Sequence, residues 1–169
     1  DKPEPAKIKF PIDLSLEASL QGNFKTSWEI IEQLKKDDPD CNRSAFNRGW
    51  HLMRQGKLLE GHKYLNRGRS ENVFGNEILS TQPRWDGKST GTILLVLEGG
   101  LGDQIHGFRY AKEIQNMGNK VIVSCSTELA EIFSEKFITI RHEAIGGIYH
   151  DFHVPAMSAP LILKHEYED

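Results

Sequence analysis

The sequence has few cysteines, no excess of one charge and no long apolar run. Its two cysteines, Cys41 and Cys125, lack the spacing of zinc ligands or of a compact disulfide framework, so we expect a reduced, cytoplasmic setting. The 21 basic and 24 acidic residues are mixed along the chain, which gives no electrostatic footprint for nucleic acid. No apolar stretch reaches the roughly 20 residues of a membrane-spanning helix, so we predict no membrane span.

The 169 residues are enough for one sizeable domain or two small ones. Residues 1–10 are rich in proline, lysine and glutamate and are predicted to be a lead-in. Residues 11–70 show helical periodicity throughout, interrupted at Gly22, Pro39 and Gly56. These interruptions predict four helices in this part of the chain.

The four predicted helices form an internal repeat of two helical pairs. Gly22 and Gly56 each end the first helix of a pair and lie 34 residues apart, the period of tetratricopeptide helix pairs. In the second pair, the small residues Gly49 and Gly61 are placed to let two antiparallel helices approach closely. Such pairs serve either as a peptide-binding groove or as a helical brace, and an array of only two units favours the brace.

Residues 71–91 are predicted to be a connector because they contain several glycines, prolines and polar residues. Within this stretch, the sequence QPRWDG forms a turn that carries one large aromatic residue, Trp85. We expect Trp85 to plug the junction between the two domains.

Residues 92–169 alternate short apolar runs with helical patterns, which predicts β-α-β-α-β with one added strand. The second helix, Glu128–Glu135, is expected to turn Ile132 inward. Right-handed crossovers would make the sheet parallel. The predicted fold is therefore α plus α/β, with helical hairpins followed by a partial Rossmann-like parallel sheet and flanking helices. Its four strands are predicted at Ile93–Leu97, Lys120–Cys125, Phe137–Ile140 and Tyr149–Val154.

The α/β part is organised around the segment Leu94–Ala111, LLVLEGGLGDQIHGFRYA. An apolar run typical of a strand buried on both faces passes through a glycine-rich bend into a helix. The helix is indicated by apolar residues at steps of about one turn, namely Ile105, Phe108, Ala111, Ile114 and Met117. Ligands of open α/β sheets bind at the carboxyl ends of strands, where such a bend lies, so we expect any small-molecule site here.

This glycine turn does not match the familiar phosphate-binding loops. The dinucleotide fingerprint requires a third glycine where Ile105 stands, and no Gly-Lys-Ser/Thr follows as in nucleoside triphosphatases. In addition, Asp103 lies in the first turn of the predicted helix, where its carboxylate would repel the anion that free N–H groups attract. The sequence therefore disfavours phosphate binding at this turn.

Asp103 itself has two interpretations. It is either a helix-start carboxylate, stabilised by the helix dipole by up to about 1 kcal/mol, or a general base that takes a proton from an acceptor hydroxyl. Asp151 and His153 are expected on one face of the fourth strand, near its carboxyl end. Four histidines, His142, His150, His153 and His165, are too scattered to predict a metal site.

Several of these motifs together resemble the tetratricopeptide-repeat proteins that carry a glycosyltransferase-like domain related to the heptosyltransferases of lipopolysaccharide assembly. The likeness rests on the two helical pairs, QPRWDG, the glycine-turn segment and YHDFHVPAMSAPLIL, and it spans about Leu14 to Leu163. It implies a GT-B type enzyme in which one Rossmann-like domain holds the acceptor and a second holds a nucleotide sugar. By this resemblance Asp103 is the base, and the acceptor mouth is lined by Gly100, Leu101, Gly102, Gln104 and His106.

About 80 residues follow the connector, too few for a second domain of that kind. The resemblance therefore implies an acceptor-side half that is inactive alone and holds no cofactor of its own, the nucleotide sugar being implied only by the family. Whether the chain is an enzyme stays open, and the alternative is a non-enzymatic protein-interaction module that uses the helical pairs. A half sheet also leaves an apolar face or edge uncovered, so we expect self-association or a covering partner.

Overall fold

The computed structural model describes residues 10–71 and 80–164, and the chain divides into two compact units after Glu71. We call residues 10–71 the helical unit and residues 80–164 the sheet unit. Most of the predicted lead-in and part of the predicted connector, residues 72–79, lie outside the described residues. Among the described residues, no helix combines the length and the apolar character needed to cross a membrane.

The helical unit contains four α-helices followed by a short 3₁₀ turn. Their bounds are α1 Pro11–Leu20, α2 Phe24–Asp37, α3 Asn42–Arg54 and α4 Leu58–Arg67, with the 3₁₀ turn at Gly68–Glu71. α1 and α3 each end just before a glycine with positive φ, +78° at Gly22 and +80° at Gly56, a backbone conformation that other residues adopt at a cost. The helix ends therefore lie where the sequence predicted them.

The tightest packing in the helical unit is between α3 and α4. A Cβ atom added to Gly49 would lie 2.7 Å from the carbonyl oxygen of Gly61, and one added to Gly61 would lie 2.9 Å from that of Gly49. Leu52 and Leu65 are fully buried in the same unit. The close approach that the two small residues predicted is thus present.

The sheet unit is built on four parallel strands in the order β3-β2-β1-β4. β1 lies in the middle of the sheet, with Leu95 opposite Val123 on one side and Val154 on the other. The parallel arrangement predicted for these residues is confirmed. The strands are β1 Thr92–Val96, β2 Lys120–Cys125, β3 Ile138–Arg141 and β4 Phe152–Pro155.

Helical segments cover both faces of this sheet. On one face, Ile93, Leu95 and the alternate residues of the other strands share a core with α5 Leu101–Phe108, α6 Tyr110–Asn116 and α7 Thr127–Ser134. On the other face, Leu94 and Val96 pack against Ile145 of the 3₁₀ turn His142–Gly147. A final short helix, α8 Ala159–Ile162, follows β4.

Three apolar side chains predicted to face the core are exposed instead. Ile105 is 56% exposed, Met117 46% and Ile132 62%. The inward stripe of α5 consists of Gln104 and Gly107, because a Cβ atom on Gly107 would lie only 2.9 Å from that of Ala156. The close packing of α5 at Gly107 thus leaves Ile105 on the exposed side of the helix, while Phe108 packs against the core.

The fourth strand differs from its prediction at both ends. It begins at Phe152 rather than Tyr149, and it includes Pro155, which was expected to lie beyond its end. Successive residues of a strand direct their backbone N–H and C=O groups to opposite edges. The backbone nitrogen of Pro155, like the N–H of His153, therefore faces away from β1. A proline is tolerated there because the N–H it lacks is not needed for the ladder with β1.

The stretch Pro83–Trp85 of the predicted connector belongs to the sheet unit. The backbone N–H of His153 donates to the carbonyl oxygen of Pro83 at 3.0 Å, and the carbonyl oxygen of His153 accepts the N–H of Trp85 at 2.8 Å. These two bonds form a parallel bridge beside β4. The Trp85 side chain is only 2% exposed and lies in the main core, with its indole N–H donated to the Ser89 carbonyl at 2.7 Å. Trp85 is therefore a core residue of the sheet unit, which corrects its predicted role at a domain junction.

Candidate functional site

The glycine turn after β1 folds the carboxylate of Asp103 back onto the start of α5. The Oδ2 atom accepts the N–H of Gly100, the residue that caps α5, at 3.0 Å. Gly99 has a φ of +75°, and a Cβ atom there would lie 2.7 Å from the same oxygen. The turn thus requires glycine at position 99 for both its backbone conformation and the space that Asp103 occupies.

The carboxylate of Asp103 nevertheless remains at the surface. It stands at the carboxyl end of the central strand, beside the exposed residues Gly100 and Gly102 and the 47% exposed side chain of Leu101. Among the described residues, the hydrogen bond given for this carboxylate is to Oδ2, from the Gly100 N–H. Asp103 is therefore an exposed carboxylate in the first turn of α5.

His106 lies one turn further along the exposed side of α5. Its pKa is lowered from the usual value by partial burial and by the charge of Arg109, with Asp103 opposing the shift. The imidazole is consequently neutral at pH 7 and adds no positive charge to the exposed side of α5.

Gln104 occupies a different position from the one predicted for it. Its side chain is 3% exposed, and its amide is bound to the turn and to the residue after β2. The Nε2 atom donates to the carbonyl oxygen of Gly99 at 3.1 Å and to Ser126 Oγ at 2.7 Å, while Oε1 accepts the N–H of Ser126 at 2.9 Å. Gln104 therefore holds the turn in place and offers no free group to a ligand.

A buried carboxylate that the sequence analysis did not single out lies next to the turn. Glu98 is 8% exposed, and its Oε2 atom accepts the N–H of Met157 at 3.0 Å, which joins the end of β1 to the segment after β4. On the same face, Ser124 Oγ lies 3.2 Å from His142 Nδ1. Burial lowers the pKa of His142, and Glu143 and Glu98 oppose that shift. In the sequence, the signal that could have drawn attention to Glu98 is its position as an acidic residue at the end of an apolar run.

The prediction for Asp151 and His153 was wrong. Asp151 precedes β4 and accepts the N–H of Thr92 at 2.7 Å, so it lies at the amino end of the sheet, opposite the glycine turn. His153 donates its Nδ1–H to the carbonyl oxygen of Gln82 at 2.7 Å and is buried. The prediction failed because β4 begins three residues later than expected.

A second candidate site is a groove within the helical unit, with a volume of about 200 Å³. Its polar floor is formed by Ser27 and His51, whose Oγ and Nε2 atoms are 2.8 Å apart, and Ser27 also donates to the Ser15 carbonyl at 2.7 Å. Burial and the charge of Arg54 lower the pKa of His51, so it is neutral at pH 7. Residues of α1, α2 and α3 line the groove: Ser15, Leu16, Ser19, Ser27, Ile31, Asn47, Trp50, His51 and Arg54.

Within residues 10–71 and 80–164, no group of three or more histidine, cysteine, aspartate or glutamate side chains is close enough to hold a metal ion. No protein family matches the chain, and neither the curated proteins nor the solved structures contain a significant match.

Proposed function

We propose that the sheet unit is the acceptor-side half of a glycosyltransferase-like protein, with a Rossmann-like sheet and Asp103 as its general base. The observation that carries the proposal is an exposed carboxylate at the carboxyl end of the central strand. The strand order β3-β2-β1-β4 matches the first part of doubly wound sheets. The chain adds β2 and β3 on one side of β1 and then crosses over to add β4 on the other side, so the order of the strands reverses between β1 and β4. Ligands of such sheets bind at this reversal, next to the glycine turn.

In this proposal, Asp103 Oδ1 accepts the proton of an acceptor hydroxyl while the hydroxyl oxygen attacks the anomeric carbon of a sugar donor. The bond between that carbon and the nucleotide phosphate breaks, and the nucleotide leaves with the bonding electrons. The neutral imidazole of His106 orients the hydroxyl. The N-terminus of α5 does not hold the donor phosphates, because Asp103 already accepts the Gly100 N–H and would repel them.

Backbone amide NMR of the whole chain tests this proposal. We expect neutral saccharides, including heptose-containing core oligosaccharides, to shift the amides of residues 99–106, whereas uridine diphosphate leaves the same amides unchanged. Asp103→Asn should weaken saccharide binding, since the amide still accepts the Gly100 N–H but no longer attracts the hydroxyl proton.

A matched control is Asp86→Asn, which changes another exposed aspartate of the sheet unit that also accepts backbone N–H groups. It should leave saccharide binding as in the wild type. The absence of shifts at the turn, or identical affinities for Asp103→Asn and the wild type, would contradict the proposal. Turnover of a nucleotide sugar by this chain alone would refute its assignment as a half that lacks a donor site.

The groove of the helical unit supports a second candidate from another class, a protein-interaction module built on tetratricopeptide-like helical pairs. Leu16 and Trp50 line the groove and are 50% and 42% exposed, so two large apolar side chains stand beside a concave surface that a partner could cover. If this candidate is correct, Asp103→Asn leaves partner binding intact and Trp50→Ala removes it.

A further inference from the structure

We infer that the groove of the helical unit selects a peptide segment that presents a carboxylate next to an apolar side chain. The inference rests on the proposed interaction module and specifies the chemistry of its partner. It depends on the size of the groove, the nature of its walls and the charge of the residues that line it.

The size and walls of the groove suit a single side chain. Its volume of about 200 Å³ is smaller than the roughly 300–1,000 Å³ of sites for drug-sized ligands and cofactors. Leu16 and Trp50 provide exposed apolar walls, and the fully buried Ile31 also lines it. The ring of Trp50 packs edge-on against Phe46, with the centroids 6.1 Å apart, an aromatic contact that favours the orientation of this wall.

The charge of the lining residues indicates an anionic partner. Of the nine described residues that line the groove, one is a cation, Arg54, and none carries a carboxylate. The guanidinium carbon of Arg54 lies 3.7 Å over the centre of the Phe24 ring, a cation–π contact that holds the charged group beside the groove. Asn47 and Ser19 add neutral donors, and His51 contributes no charge at pH 7 because its pKa is lowered.

A peptide carboxylate fits this arrangement better than a nucleic acid does. Phosphate backbones are bound by many basic side chains at once, and their affinity grows with each phosphate that is neutralised. One guanidinium in a groove that also has apolar walls instead matches one carboxylate beside one apolar side chain, which a short peptide supplies.

Fluorescence polarisation with the whole chain and blocked, fluorescein-labelled hexapeptides provides the test. The first probe contains Glu-Leu-Glu between glycine and serine spacers, and two matched probes carry Lys-Leu-Lys or Glu-Ser-Glu. We expect the Glu-Leu-Glu peptide to bind about tenfold more tightly than either of the others, the size of effect that one charge-assisted hydrogen bond or one buried apolar side chain produces.

Two variants separate the two contributions. Arg54→Gln should remove the preference for glutamate over lysine, and Trp50→Ala should weaken binding of every leucine-containing probe. Lys63→Gln, an exposed change on α4 outside the groove, is the matched control and should bind like the wild type. Circular dichroism confirms that all three variants keep the helical content of the wild type.

Two results would overturn the inference in distinguishable ways. Equal binding of acidic and basic peptides that still depends on Trp50 would refute the carboxylate preference while supporting the interaction module. Failure of every peptide to bind at millimolar concentration would refute both.

Discussion

Gln104 and Ser126 are joined by two hydrogen bonds, from Gln104 Nε2 to Ser126 Oγ at 2.7 Å and from the Ser126 N–H to Gln104 Oε1 at 2.9 Å. The pair connects the turn after β1 with the residue that caps the start of α7, just after β2. A third bond, from Nε2 to the carbonyl oxygen of Gly99, extends the connection to the glycine turn itself. The position of Asp103 therefore depends on a buried amide one residue away.

Replacing Gln104 by leucine should destabilise the sheet unit by about 1–3 kcal/mol, because the Ser126 N–H and the Gly99 carbonyl lose their partner in a buried place. Hydrogen exchange of the β1 and β2 amides measures this loss. Gln115→Leu, an exposed change on α6, is the control and should alter exchange little. Equal effects of the two substitutions would show that the amide of Gln104 does not hold the turn.

Gly99→Ala and Gly102→Ala should change stability in opposite directions. At Gly99, alanine meets the Asp103 carboxylate at 2.7 Å and must adopt a φ of +75°, which alone costs about 1–2 kcal/mol. At Gly102, which is helical and has open space around it, alanine should stabilise α5 by up to about 1 kcal/mol.

The double variant Gly99→Ala/Asp103→Ala separates the two costs, since it removes the contact with the carboxylate and leaves the backbone strain. Exchange rates of the β1 amides again provide the measurement. If Gly99→Ala proved as stable as the wild type, the turn would have a conformation different from the one observed.

The strands at the centre of the sheet were predicted closely, and the reason is physical. β1 and β2 are buried on both faces, so each is a continuous apolar run whose ends are visible in the sequence. The Pro83–Trp85 bridge was missed because a short segment with turn-forming neighbours shows no periodicity, and its partner His153 is about 70 residues away. Only the tertiary fold reveals that such a segment belongs to the sheet.

In the candidate site, too, features set by neighbouring residues could be predicted from the sequence, and features set by distant residues could not. The position of Asp103 at the start of a helix followed from the neighbouring glycines alone. The burial of Gln104 depends on Ser126, and the role of Glu98 depends on Met157, so neither could be inferred from nearby residues. The groove of the helical unit likewise depends on how three helices converge.

The stability of the sheet unit should decrease in acid, with His153 as one cause. Burial lowers the pKa of His153, and the nearby charges of Arg84 and His150 lower it further. Hydrogen bonds to Gln82 and Pro83 raise the pKa but do not outweigh these effects. The imidazole of His153 therefore binds a proton more readily in the unfolded chain than in the folded one. The stability that the neutral imidazole contributes is complete above about pH 6.5 and is lost as the pH falls through the lower folded pKa.

His153→Gln should flatten this pH dependence, because the amide can still donate to the Gln82 carbonyl but does not titrate. The free energy of opening, obtained from amide exchange between about pH 5 and pH 8, provides the comparison. His106→Gln, at an exposed histidine of α5, should change the profile less. An unaltered slope in His153→Gln would exclude His153 as a source of the acid sensitivity.

The β3 edge of the sheet should mediate self-association. Among the described residues β3 pairs only with β2, whereas the β4 edge is partly covered by the Pro83–Trp85 bridge. Ile138 on β3 is 51% exposed, and an open edge with an apolar side chain is a template for pairing with a second chain. We expect sedimentation velocity to show concentration-dependent dimers that Ile138→Lys reduces. Ile132→Lys changes an isoleucine on α7 that is 62% exposed and should leave the dimers intact, and a wild-type chain that stays monomeric at high concentration would contradict the prediction.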